Sequence, residues 1–114
     1  MKEVKAIIQP FMLTRVVDAL KKIEGLPGLT VDVDVHGFGR NRAATAAHKI
    51  TLDEIEYAKK AKLEIVVQDD MVDVVVNTIL EHAHTGNPGD GKIFVIDVEE
   101  VYRIRTGERG IAAL

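Results

Sequence analysis

The 114-residue chain contains no cysteine and no serine. Disulfides and thiolate metal sites are therefore excluded, and neither a Ser-His-Asp nor a Cys-His catalytic constellation can be assembled. The absence of cysteine fits a reducing compartment. Positive charge is not in excess: the formal net charge is -3, with acids and bases interspersed. A protein of this charge has no electrostatic footprint for a nucleic-acid backbone, so no nucleic-acid partner is expected. Long apolar runs are also missing. The N-terminal MKEVKAIIQPFM has a short apolar run interrupted by Lys5, unlike a signal peptide. No stretch approaches the ~20 apolar residues of a membrane span. A soluble, cytoplasmic protein is the expectation.

The composition is 46% apolar and 29% charged, which is that of a globular chain, and the length suits one compact domain over 1–114. Branched aliphatics over 4–9 stop at Pro10, which cannot donate to a sheet ladder, and so predict a first strand. Leu13, Val16, Val17, Leu20 and Ile23 follow at helical spacing, and Gly25, Pro27 and Gly28 end that helix. Over 29–36, Val31, Val33 and Val35 alternate with Asp32, Asp34 and His36, the pattern of a strand with one wet face. No period then appears until Ala61, so a long loop of about 41–60 is expected, of a length that is usually functional. A third strand is expected over 63–67. Asp69 then stands as an N-cap ahead of a helix marked by Val72, Val75, Val76, Ile79, Leu80 and Ala83. A glycine-rich stop leads to a strand over 93–98, and 101–106 alternates as a short C-terminal strand. The order βαββαβ predicts an α+β, ferredoxin-like sandwich with both helices on one face of a four-stranded antiparallel sheet. Residues 65–67 and 93–96 are apolar on consecutive positions, so both faces of those strands call for cover. Two helices cover one face, and the other points to self-association.

Gly86-Asn87-Pro88-Gly89-Asp90-Gly91-Lys92 matches the first seven positions of a phosphate loop, but Ile93 stands where a magnesium-binding hydroxyl is required. The order is also reversed, since a helix precedes and a strand follows. A P-loop NTPase is thereby excluded. Two readings stay open at the level of the residues: an anion nest of backbone N–H groups beside Lys92, or a plain helix C-cap and tight turn. Arg103 and Arg105, two apart on the expected strand, would face one side, either as an anion clamp joined with Lys92 or as edge-strand surface charges. His82 and His84 fall on different faces of a helix, and His36 and His48 flank or occupy the long loop, so no metal site is assigned. Asp53, Glu54 and Glu56, near Lys59, Lys60 and Lys62, read as solvated loop charges. No catalytic residue is assigned, and the chain is not expected to be an enzyme. A slow ATPase would lack an evident base to orient water.

KAIIQPF, GFGR at 37–40, KLEIVV at 62–67, TGNPGDGKIFV at 85–95 and RIRTGERG at 103–110 together resemble the PII signal-transduction (nitrogen regulatory protein P-II) family over nearly the whole chain. The resemblance implies a homotrimer with ATP or ADP, and Mg2+ accompanying ATP, in clefts between subunits. It implies that Gly89, Asp90, Gly91 and Lys92 hold phosphates and that Arg103 and Arg105 approach from the adjacent subunit. Thr30, Gly37, Phe38, Gly39, Arg40 and Val66 would surround the base and sugar. The long loop would act on a protein partner such as a membrane transporter. Departures stand beside the resemblance: Asp53 replaces the tyrosine that many bacterial members modify, which argues against uridylylation. Asn41 replaces the glutamine that contacts 2-oxoglutarate, while Lys60 keeps the corresponding lysine. The tip 43–47 lacks the usual transporter-engaging residues, and short insertions are read near Glu24-Gly25 and at 32–35. The implied function is a nucleotide-sensing signalling protein. The alternative is a PII-like sensor of a metal ion or bicarbonate outside nitrogen control.

Overall fold

A computed structural model describes residues 1–39 and 58–114. The described elements are β1 (Lys2–Ile8), α1 (Leu13–Lys21), β2 (Thr30–Gly37), β3 (Ala58–Val67), α2 (Val72–Ala83) and β4 (Gly91–Asp97). Short 3-10 turns at Pro10–Met12 and Asp69–Met71 lead into the two helices, and another, Gly110–Ala113, lies near the C-terminus. The sheet order is β2-β3-β1-β4 with every neighbour antiparallel. This is the expected ferredoxin-like arrangement.

Period-two burial builds the core. Val4, Ala6 and Ile8 of β1 and Ala61, Leu63, Ile65 and Val67 of β3 face the helices and are buried. Val16 and Leu20 of α1, with Val75, Ile79 and Ala83 of α2, close over them. Opposed residues in antiparallel strands share a face. The register therefore puts Glu3, Lys5, Ile7, Lys62, Glu64, Val66, Lys92, Phe94 and Ile96 together on the face away from the helices. That open face keeps Phe94 and Ile96 exposed, and Val95 at the β4 edge is exposed as well. The expectation of two apolar faces thus holds for β4, whereas β3 presents mainly charge on its open side.

Four details differ from the sequence reading. Asp69 does not cap α2: it belongs to the preceding 3-10 turn, Met71 occupies the N-cap without a side-chain bond, and the Asp69 carboxylate meets the Met1 amine at 2.9 Å. Within β2 the alternation of valines and acids breaks, because Asp32 Oδ1 accepts a hydrogen bond from Asp34 N at 3.0 Å and the register shifts between Asp32 and Val35. Asp32 and Val35 consequently lie opposite Lys62 and Lys60 on the same face, and Val31 lies opposite Leu63 on the helix side. Residues 58–60, assigned to the long loop, are already β3. Their lysines gave no apolar period, yet they pair with β2 through His36 and Val35.

The fourth correction concerns the C-terminal strand. Segment 101–106 makes a single bridge, Tyr102 to Arg109, around a turn closed by Arg103 N to Glu108 O and Gly107 N to Arg103 O, each 2.8 Å. Gly107 takes φ +73, a left-handed conformation that favours glycine, and the four-residue alternation is too short to outweigh that turn. Arg103 and Arg105 are therefore not side-by-side strand residues. α2 likewise ends at Ala83, and His84 is extended beyond it.

Leu63 is fully buried at the centre of the sheet. Leu63→Ala is expected to cost about 2–5 kcal/mol through lost burial and a residual cavity, read as a lower urea midpoint at unchanged slope.

Candidate functional site

The glycine-rich turn is built around one carboxylate. Asp90 Oδ2 accepts from Thr85 N at 2.8 Å and from Gly86 N at 2.9 Å, while Asp90 Oδ1 accepts from the Thr85 hydroxyl. The Thr85 hydroxyl foremost, and then the two backbone N–H groups, hold the Asp90 carboxyl below the usual carboxylate range. His84 Nδ1 stands 3.7 Å from the same carboxylate. Asp90 thus fastens the turn from within.

Glycine is required at the turn's far side. Gly91 has φ +106, and a Cβ placed on it would lie 1.7 Å from the Ile7 carbonyl oxygen, so β4 can pair with β1 here only without a side chain. Gly89, at φ +95, packs beside Gln9: a Cβ there would meet the amide nitrogen at 3.0 Å. Lys60 reaches over from β3 and donates to the Gly89 carbonyl at 2.6 Å. Gly37 backs the Lys60 stem, with Cγ at 3.8 Å from a notional Cβ. The Ile8 end of the sheet therefore gathers Gly37, Lys60, Gly89, Asp90, Gly91 and the exposed Lys92. Gln9 joins them, although nothing in its residue type marked it; only its place between the first strand and Pro10 did. Phe38 and Gly39 continue from Gly37, both exposed. Arg40, Asn41 and Asp53, with the rest of 40–57, lie outside the described residues.

The remaining candidates lie elsewhere. Val66 pairs with Glu3 near the Lys2 end, and Thr30 opens β2 opposite Glu64, level with Lys5 at mid-sheet. β4 ends at Asp97 beside Lys2, where the Lys2 ammonium pairs with the Asp97 carboxylate. The C-terminal arm continues from this end: Val98 N donates to Met1 O at 3.2 Å, and Ile111 lines a hollow with Met1, Gln68 and Asp69. Arg103 Nη2 donates to the Leu114 carbonyl at 3.0 Å, and Nη1 lies 3.8 Å from Glu108. Arg105 is exposed on the turn. At about 3.3 Å per residue, β4 separates the root of this arm from Lys92 by about 20 Å. Within one chain, then, Lys92, Arg103 and Arg105 do not form the single cationic clamp that the sequence allowed. The hollow beside Lys92 and His84 measures ≈ 120 Å³, well short of the ~300–1,000 Å³ of small-molecule pockets. Among the described residues no group of three or more His, Asp or Glu gathers as a metal site, and no helix is long and apolar enough to cross a membrane.

The fold and these positions define a ferredoxin-like subunit with a glycine-rich turn at one end of its sheet and an arginine-bearing arm rooted at the other. The nitrogen regulatory protein P-II family model matches residues 1–108. Nitrogen regulatory protein P-II 1 of Escherichia coli (strain K12) is 48% identical over 114 residues, covering 100% of both chains. The P-II protein of Microchaete diplosiphon is 47% identical at the same coverage. Among solved structures, Arabidopsis thaliana PII bound to citrate superposes with a TM-score of 0.80 at 45% identity, over 99% of this chain and 91% of that one. The chain belongs to the nitrogen regulatory protein P-II family, whose members are signalling regulators and not enzymes.

Because its folded-state pKa is depressed, Asp90 contributes stability that is present above its unfolded pKa and lost as pH falls through the folded value. Asp90→Asn should be less stable than the unmodified protein at neutral pH, and the difference should shrink as pH drops below about 4. Thermal unfolding between pH 7 and pH 3 measures it, and a difference independent of pH would contradict the role given to this carboxylate.

Proposed function

We propose that the chain is a homotrimeric sensor of ATP and ADP, with Mg2+ accompanying ATP, acting in the cytoplasm on a protein partner through the loop that begins near residue 41. The observation that carries this reading is the division of the candidate residues between the two ends of the sheet. The Ile8 end supplies Gly37, Phe38, Gly39, Gly89, Gly91 and Lys92. Val66 and the arm with Arg103 and Arg105 belong to the other end, and Thr30 lies between. The hollow at the Ile8 end is too small to enclose a nucleotide, but one end of one subunit set against the opposite end of its neighbour would give a cleft lined by all of them.

The physics of each half fits a phosphate. Gly86, Gly89 and Gly91 are exposed and carry no side chain, so that backbone N–H groups of the turn could approach an anion closely. Lys92 and, across the interface, Arg105 would add charge-assisted hydrogen bonds. Asp90 in this reading shapes the turn and does not face the negatively charged ligand, which avoids like-charge repulsion. The exposed Phe94 and Ile96 of the open face and Ile104 on the arm are the apolar surface that a trimer would cover. Lys60 at the turn places a cation where a small dicarboxylic acid such as 2-oxoglutarate could bind beside the phosphates, and citrate in the Arabidopsis relative is a small acid of related chemistry. The partner, a membrane transporter in the family's usual manner, would be engaged by residues beyond this site.

Light scattering should report three chains per particle, and a monomer at micromolar concentration would sink the trimer. Lys92→Ala and Arg105→Ala should each weaken ATP and ADP binding by about 1.5–3 kcal/mol in calorimetry. Co-refolding the two variants should restore full affinity at a fraction of the sites, because some interfaces then pair an intact Lys92 with an intact Arg105. No recovery on mixing would mean that the two residues do not share an intersubunit site.

A further inference from the structure

The Lys60 ammonium lies on the backbone of the glycine turn at 2.6 Å from the Gly89 oxygen. A peptide unit is planar, and the described chain has no cis bond, so the carbonyl of Gly89 and the N–H of Asp90 point in opposite directions. A group that fixes one fixes the other. The two residues bounding this peptide are unequal in freedom. Asp90 is fastened by its own carboxylate to Thr85 and Gly86, whereas Gly89, without a side chain and at φ +95, has a glycine's wide choice of backbone angles. Rotation of this peptide would change the shape of the turn, and the Lys60 bond to the Gly89 carbonyl opposes it. Gln9 stands against Gly89 as well, but only as a wall; the hydrogen bond that orients the carbonyl comes from Lys60.

We infer that Lys60 is a positioning residue of the glycine turn: its ammonium holds the Gly89–Asp90 peptide plane, directs the Asp90 N–H away from β3, and so keeps the turn in the form that accepts an anion. The lysine stem is itself placed by its strand, since Lys60 pairs with Val35 and packs beside Gly37. Two strands, β2 and β3, and the turn are thereby joined at one carbonyl. The ammonium is suited to this because it is a compact donor on a long stem, and its bond to a neutral carbonyl is charge-assisted. The inference rests on the nucleotide reading only for its consequence, not for the contact itself.

The test uses the full-length, nitrogen-15-labelled protein without ligand, as Lys60→Met and Lys60→Arg. Loss of the donor in Lys60→Met should move the amide signals of Asp90 and Gly91 while the β1 and β3 core signals and the melting temperature stay in place, and ADP affinity should fall about tenfold. Lys60→Arg, which keeps a cationic donor, should restore the Asp90 signal and most of the affinity. An unmoved Asp90 amide in ligand-free Lys60→Met would overturn the inference, as would a moved amide with unaltered ADP affinity. If the unmodified protein binds neither ADP nor ATP, the nucleotide reading fails, and the ligand-free Asp90 signal alone still decides whether Lys60 sets this peptide.

Discussion

The closure of β4 against β1 at Gly91 is the contact on which the rest of the molecule depends. With the Ile7 oxygen 1.7 Å from where a Cβ would stand, the pair exists only because residue 91 has no side chain. From that point the antiparallel register runs without a shift from Gly91 opposite Ile8 to Asp97 opposite Lys2. The register decides which residues of β4 face the helices and which the open side. It also fixes where the glycine turn ends and where the C-terminal arm begins, so one steric constraint sets both halves of the candidate site.

Charge then works locally and not over distance. The Asp90 carboxylate, with three donors from Thr85 and Gly86, closes the turn; Lys60 ties the turn to β3; Lys62 and Glu64, 3.2 Å apart, lie along the open face, and the hydrogen bond from Lys62 foremost lowers the Glu64 pKa. Surface pairs of this kind add little stability individually. Their value is geometric: each fixes a backbone or side-chain direction that burial alone leaves free. The hydrophobic core under the helices supplies the stability, and these polar contacts shape the end of the sheet that would meet a ligand.

Family membership makes the chain a signalling regulator, and the function proposed for it has its sites completed between copies. In that proposal, a subunit with a ≈ 120 Å³ hollow beside Lys92, and with its arginine arm rooted at the far end of β4, would be half of a binding device. Self-association would then be part of recognition, because the neighbour would supply both the cover for apolar strand residues and the missing cations. Such an arrangement lets occupancy at one cleft bear on the contacts between subunits, which is what a signalling protein needs.

The βαββαβ order, the helical stripe of Val16, Leu20, Val75, Ile79 and Ala83, and the glycine-rich stop after the second helix were legible in the residues, because they follow from a period of 3.6 and from backbone freedom at single positions, whereas the apolar run 65–67 misled about β3, whose open side carries mainly charge. The sequence pointed to the turn at 86–92 and to Lys92, since glycines and a lysine carry their chemistry in their type. It misjudged Asp69, whose carboxylate went to a charge distant in sequence, and the valines of β2, whose alternation a local Asp32–Asp34 bond interrupts. That Gln9, Lys60 and Gly89 meet, and that the turn bearing Arg103 and Arg105 is on an arm rooted at the opposite end of β4 from Lys92, comes from the tertiary structure alone. Those relations depend on strand register and on which end of the sheet each connection leaves from, quantities that no local pattern of residues contains.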